Sequence, residues 1–196
     1  WEVNDEAAKF HEEGRQFGSE GMHDLAIAAF QKASEAAPDW PYPVYDTAFT
    51  YLLMQQWPEA LKHYKIAQRL YPDGFFTTIT AVDTLEREES GDLPQGVYLL
   101  YLQLEWTEDP DDKAKIVRLL TERCPNYAPG WKEMSFMVED DAEKSEFIQK
   151  GLAAGPDYET LGMLLINKAL IQARAEDQQA AMTTLGELLL DGRTTQ

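Results

Sequence analysis

A chain of 196 residues that is 44% hydrophobic and 11% aromatic has enough apolar side chain for one core or a short repeat array, which excludes a disordered polymer. Its net charge of -18 repels phosphate backbones and anionic headgroups, so nucleic acid and membrane surfaces are excluded as first partners and basic ones are favoured. The most apolar stretch, 97–104, is far short of the roughly 20 residues of a spanning helix and contains Gln103, so no membrane insertion is expected.

Residue 1 is tryptophan rather than methionine, which suggests a trimmed start. The compartment therefore stays open: cytoplasmic, or periplasmic or exported if a signal segment has been removed. The single cysteine, Cys124, permits no intrachain disulfide and does not decide between compartments.

From the N-terminus, Phe10, Gly14 and Phe17 fall on one helical face, Gly21 breaks the run, and Ala26, Phe30 and Ala33 mark a second face before Pro38. The pattern returns in phase with Val44, Ala48 and Tyr51, then Ala60, Tyr64, Ala67 and Pro72. Pro38 and Pro72 are 34 residues apart, and Pro-Asp or Pro-Asn recurs at Pro125 and Pro156. Proline cannot continue a helix, and Asp or Asn beside it suits a turn or the next cap. Pro72 to Pro125 spans 53 residues that read as three helices, at 75–89, 94–106 and 111–123. Either one of them is an insertion or the register changes phase. Beyond, Trp131, Met134, Ser135 and Val138 form a first helix, Phe147, Ile148 and Gly151 a shortened second, and Leu165, Ala169, Ala181, Leu185 and Leu188 a last pair.

These residues, above all Gln56-Trp57-Pro58-Glu59-Ala60-Leu61 followed by Tyr64 and Ala67, resemble the tetratricopeptide family. The resemblance implies an all-α fold, a right-handed superhelical array of antiparallel helix pairs with about 10–11 helices, forming a single domain over 1–196. Clear repeats are expected at 7–40 and 41–74, an irregular three-helix stretch at 75–124, degenerate repeats at 125–156 and 157–191, and a tail at 192–196.

Much of the acidity has a structural use at helix starts. Asp109-Pro110-Asp111-Asp112 places a cap before a first-turn proline with two further carboxylates at the positive helix end. Asp140 with Glu143 reads as a capping pair, and Asp73, Asp92 and Asp157 precede helices. Such carboxylates each stabilise a helix start by roughly 0.3–1 kcal/mol.

Chemistry-bearing constellations are poor, and no catalytic residue, metal site or cofactor is expected. His11-Glu12-Glu13 lacks a second histidine one turn on, so it is not a zinc-protease arrangement. His23 and His63 suit solvated or packing roles, and Cys124 has no histidine nearby in sequence to act as base. The glycines are scattered singly and form no phosphate loop.

The expected function is a non-catalytic interaction module or scaffold that binds a peptide or protein segment in a concave groove. The alternatives are a self-assembling structural or regulatory subunit of a larger complex, homo-oligomers included, or an enzyme using the array as a frame. In arrays of this family the first helix of each pair lines the concave face. The resemblance then points to His11 and Arg15, to Tyr42, Tyr45, Phe49 and Leu52, to Phe76 and Ile79, and to Lys132 and Phe136. The aromatic stripe Tyr42, Tyr45, Phe49 either packs on the next repeat or faces the groove. Tetratricopeptide domains that clamp acidic C-termini use Lys, Arg and Asn, where this chain has Tyr45 and Phe49. A neutral or basic segment with apolar anchors fits better.

Overall fold

A computed structural model describes residues 3–192, among which eleven α-helices and no strand occur. Of the expected tail, Gly192 is described and residues 193–196 lie outside the described residues. No helix among the described residues is long and apolar enough to cross a membrane. The all-helical expectation holds, and the chain divides into two compact units between Ser90 and Gly91.

The first unit contains α1 (Asp5–Ser19), α2 (His23–Ala36), α3 (Pro41–Leu53), α4 (Trp57–Leu70) and α5 (Thr78–Ser90). α1 pairs with α2 and α3 with α4, while α3 stacks on α2 and α5 on α4. Small residues set the spacing: Ala26, Ala33, Ala48, Ala60 and Ala67 are fully buried beside Phe30 and Tyr64. A Cβ on Gly14 would stand 2.4 Å from Cε1 of Phe30, so only glycine lets α1 approach α2 this closely. The turn between them is made by Gly21 at φ 74°, a left-handed conformation that costs glycine little.

The second unit contains α6 (Val97–Trp106), α7 (Pro110–Arg123), α8 (Ala128–Phe136), α9 (Asp141–Ala153), α10 (Tyr158–Arg174) and α11 (Gln178–Leu189). Three pairs follow one another, α6 with α7, α8 with α9 and α10 with α11; α7 packs on α8, and α10 touches both α8 and α9. Tyr98, Tyr127, Val117, Leu120, Ile148 and Leu164 form the buried centre.

Helix starts follow local chemistry. Asp109 caps α7 by accepting from the backbone N–H groups of Asp111 and Asp112 at 2.9 and 3.0 Å, Asp140 caps α9 likewise, and Asp157 caps α10 through Thr160. Asp73 caps nothing, because α5 starts later than its sequence suggests. Gly74 and Phe76 take φ of 102° and 47°, the Phe75 N–H donates to Thr78 Oγ1, and the helix begins at Thr78. Asp92 acts differently again. Asn126, 34 residues on, donates its side-chain amide to the Asp92 carbonyl and carboxylate, tying successive turns of the second unit. The three helices between Pro72 and Pro125 fall on both sides of the division at Ser90/Gly91, α5 in the first unit and α6 and α7 in the second. α5 packs on α4 within the first unit, and α6 pairs with α7 within the second.

Candidate functional site

The sequence-derived candidates fall into two groups, one in each unit. In the first unit the structure brings His11, Tyr42, Tyr45 and Phe76 into a single aromatic cluster, joined by Trp40 and Phe75. Ring centroids are 4.7 Å apart for His11–Trp40, 5.8 Å for Trp40–Tyr42, 4.8 Å for Tyr42–Phe75, 5.5 Å for Tyr42–Phe76 and 5.1 Å for Tyr45–Phe76. Most meet edge to face, the arrangement that the ring quadrupole favours. Trp40 immediately precedes α3, Tyr42 and Tyr45 lie on it one turn apart, and Phe75–Phe76 form the turn before α5. The stripe residues Tyr42 and Tyr45 are half-buried and pack on the next repeat through Phe75, and the adjoining Phe76 is 57% accessible.

Two candidates change role. Leu52 is fully buried on α3 and belongs to the core, because its helical position turns it inward with Ala48. His11 is also buried, its Nε2 2.8 Å from Asp46 Oδ2, so it fastens α1 to α3 from behind the cluster. Arg15 is exposed one turn along α1, and Phe49 and Ile79 are half-buried. The Tyr45 hydroxyl stands 3.3 Å from Thr77 Oγ1, which ties α3 to the turn before α5.

In the second unit, Lys132 on α8 is mostly buried. Its ammonium donates to the Tyr101 hydroxyl at 2.7 Å, pairs with Glu133 Oε1 at 2.9 Å and lies over the Tyr101 ring. Tyr101 in turn donates to Glu133. Burial pushes the Tyr101 phenol well above its ordinary value, and the nearby Glu133, Glu159 and Asp157 reinforce the shift, so it stays protonated and can both accept and donate. Lys132 is thereby a member of an internal triad joining α6 to α8. Phe136, one turn on, is exposed. It lines an open cleft of about 690 Å³ with Val138, Glu139, Asp140, Asp141, Lys144 and Arg174. Within it Arg174 clasps Asp141 through Nε and Nη2, and that hydrogen bonding holds the carboxyl below its usual range.

Sequence reading missed Trp40, Phe75, Asp46, Tyr101 and Glu133. Trp40 lies in the turn before α3, and Phe75, which the sequence reading places at the start of a 75–89 helix, lies in the turn before α5, so helical periodicity could not select either. Asp46 and Glu133 are two among 35 carboxylate residues, and their partners are set by which repeats stack. His63 is a packing residue, with Nδ1 2.8 Å from the Glu59 carbonyl and its ring against Tyr51, and Cys124 is buried.

No protein-family model matches the chain, and neither does any curated protein sequence. Among solved structures it is similar to a MamA fragment from Desulfovibrio magneticus RS-1, at 12% identity and TM-score 0.44 with 95% of each chain covered. It is similar also to YrrB, a TPR protein described as having an unusual peptide-binding site, at 14% identity and TM-score 0.41, covering 93% of this chain and 84% of that one. The TPR2AB domain of yeast Sti1, in a pHSP90 complex, is 14% identical with TM-score 0.41, covering 100% of this chain and 83% of that one. Likenesses of this size speak to the fold alone, so the site is read from the chain's own side chains. In the residues of its two regular repeats and the stacking of its helix pairs, the chain resembles the tetratricopeptide-repeat proteins.

Proposed function

We propose that this chain is a non-catalytic protein-interaction module whose first unit seats a neutral or basic peptide segment against the Tyr42–Tyr45–Phe76 edge. The observation that carries the reading is Phe76. A large ring, 57% accessible, is held at the left-handed φ of 47° that L side chains rarely adopt, with Tyr42, Tyr45 and Phe75 packed around it. Packing fixes the ring before a ligand arrives, so little side-chain freedom is lost on binding. Rigid aromatic rings are the side chains that dominate binding energies at protein interfaces. The chain's charge of -18 adds attraction for a basic ligand. Nothing in this reading requires a metal, a cofactor or a nucleophile.

The test is a set of peptides selected against the chain from a random display library. They are expected to be enriched in Lys or Arg beside aromatic or aliphatic anchors. The double variant Tyr45→Ala/Phe76→Ala should lose at least about 30-fold in affinity, the equivalent of a hot spot of roughly 2 kcal/mol, with helicity by circular dichroism unchanged. Equal binding of the same peptides to the variant would show that the cluster is not the seat.

A further inference from the structure

Along α3, Tyr42, Tyr45, Asp46 and Phe49 stand at the spacing i, i+3, i+4 and i+7 of a single helical face. All four are half-buried, while every other residue from Pro41 to Thr50 is buried, so this stripe is the side that α3 leaves open. Three of the four are aromatic. The fourth, Asp46, is the one charged residue of the helix.

A carboxylate set among rings loses hydration, and one contact offsets part of that cost: His11 Nε2 lies 2.8 Å from Asp46 Oδ2. An ionised carboxylate can only accept, so Nε2 carries the proton of that bond. The His11 ring is buried against Phe30, Trp40 and Tyr42, with centroids 5.6, 4.7 and 6.1 Å away, which makes it a rigid support for the carboxylate. The bond occupies one oxygen, although a carboxylate offers about four acceptor sites. The Asp46 side chain is still 26% accessible, and among the described residues no Lys or Arg pairs with it; Arg15, one turn along α1 from His11, is exposed. Fastening α1 to α3 accounts for the hydrogen bond but not for the charge, since a neutral asparagine would accept from His11 equally well.

We propose that Asp46 is the specificity-determining residue of the peptide seat, its second carboxylate oxygen receiving the ammonium or guanidinium of one Lys or Arg of the bound segment. The proposal rests on the seat described under the proposed function and adds the group that reads the ligand's charge. Tyr42 joins the two parts of the site, because its ring stands 6.1 Å from that of His11 and 5.5 Å from that of the exposed Phe76. An apolar anchor on Phe76 and a cation at Asp46 therefore flank the same tyrosine, whose ring face also attracts the cation. The net charge of -18 draws a basic ligand to the whole chain, whereas Asp46 acts on one position of it.

A double-mutant cycle between chain and ligand separates the two effects. A display-selected peptide is synthesised with its Lys intact and with norleucine, the uncharged isostere, in its place, and each form is titrated against the parent and against Asp46→Asn. The parent should prefer the Lys peptide by at least about 10-fold, the size of one hydrogen bond to a charged group, and in Asp46→Asn the preference should fall below about 3-fold. The norleucine peptide should bind parent and variant alike, which also reports that the asparagine variant is folded with its seat intact. A preference that persists in Asp46→Asn overturns the inference, as does a parent that binds both peptides equally. Selected peptides rich in Asp or Glu that weaken in Arg15→Gln would overturn it too, by moving the charge reading to α1. In each of these cases loss of binding in Phe76→Ala leaves the aromatic seat standing, while unchanged binding in Phe76→Ala removes the seat and the inference together.

Discussion

At Gly14 a single absent methyl group decides how closely two helices approach. Filling the site presses a Cβ into the Phe30 ring at 2.4 Å, so Gly14→Ala should destabilise the chain by about 1–3 kcal/mol. That outweighs the roughly 1 kcal/mol by which alanine is favoured over glycine inside a helix, and urea titration would read the difference. Phe76 poses the opposite problem, a large side chain held in a glycine-like conformation. Phe76→Ala and Phe76→Gly remove the same ring, and only glycine also relieves the left-handed strain. The glycine variant should therefore be the more stable of the two by about 1 kcal/mol, and both should lose peptide affinity. Equal stabilities would mean that the turn relaxes when the ring is removed. Gly14 was readable from the sequence as a small residue between Phe10 and Phe17, whereas the strain at Phe76 was not, since it arises from how the 74–78 turn is held.

Helices and their caps are where local sequence speaks most directly. Asp109 before Pro110 was read as a cap and accepts two backbone hydrogen bonds, so Asp109→Ala should cost about 0.5–2 kcal/mol by thermal or urea unfolding. Asp73-Gly74 looks no less like a helix start, yet α5 begins at Thr78 because Phe75 and Phe76 are held in the aromatic cluster and Thr78 supplies the hydrogen bond that ends the turn. Asp73→Ala should accordingly leave stability within about 0.5 kcal/mol of the parent, as for a surface substitution away from any cap. Here a tertiary contact outranks a local signal. The same holds for Lys132. Its place on a helix was legible, while its burial against Tyr101 and Glu133 depends on where α6 lies against α8.

For the molecule as a whole, 35 acidic against 17 basic residues set a field that acts on any partner before contact. Association of a basic peptide should slow as sodium chloride is raised toward a Debye length of about 8 Å or less, while dissociation changes little. Stopped-flow measurement at several salt concentrations separates the two, and a salt-independent association rate would exclude steering by the net charge. The helical class, the positions of most helices and the two regular pairs were determined by the sequence alone. Small and aromatic residues at helical spacing, closed by prolines 34 residues apart at Pro38 and Pro72, admit few other arrangements for those two pairs. Tertiary structure alone decided that α5 packs on α4 and α6 on α7, that Leu52 and His11 turn inward, and that Trp40, Phe75 and Asp46 join the site. The physical reason is that periodicity records which face of a helix is apolar. Which neighbour covers that face, and which turn residues fold over it, depends on contacts between segments some 30 residues apart, and a local pattern carries no term for those contacts.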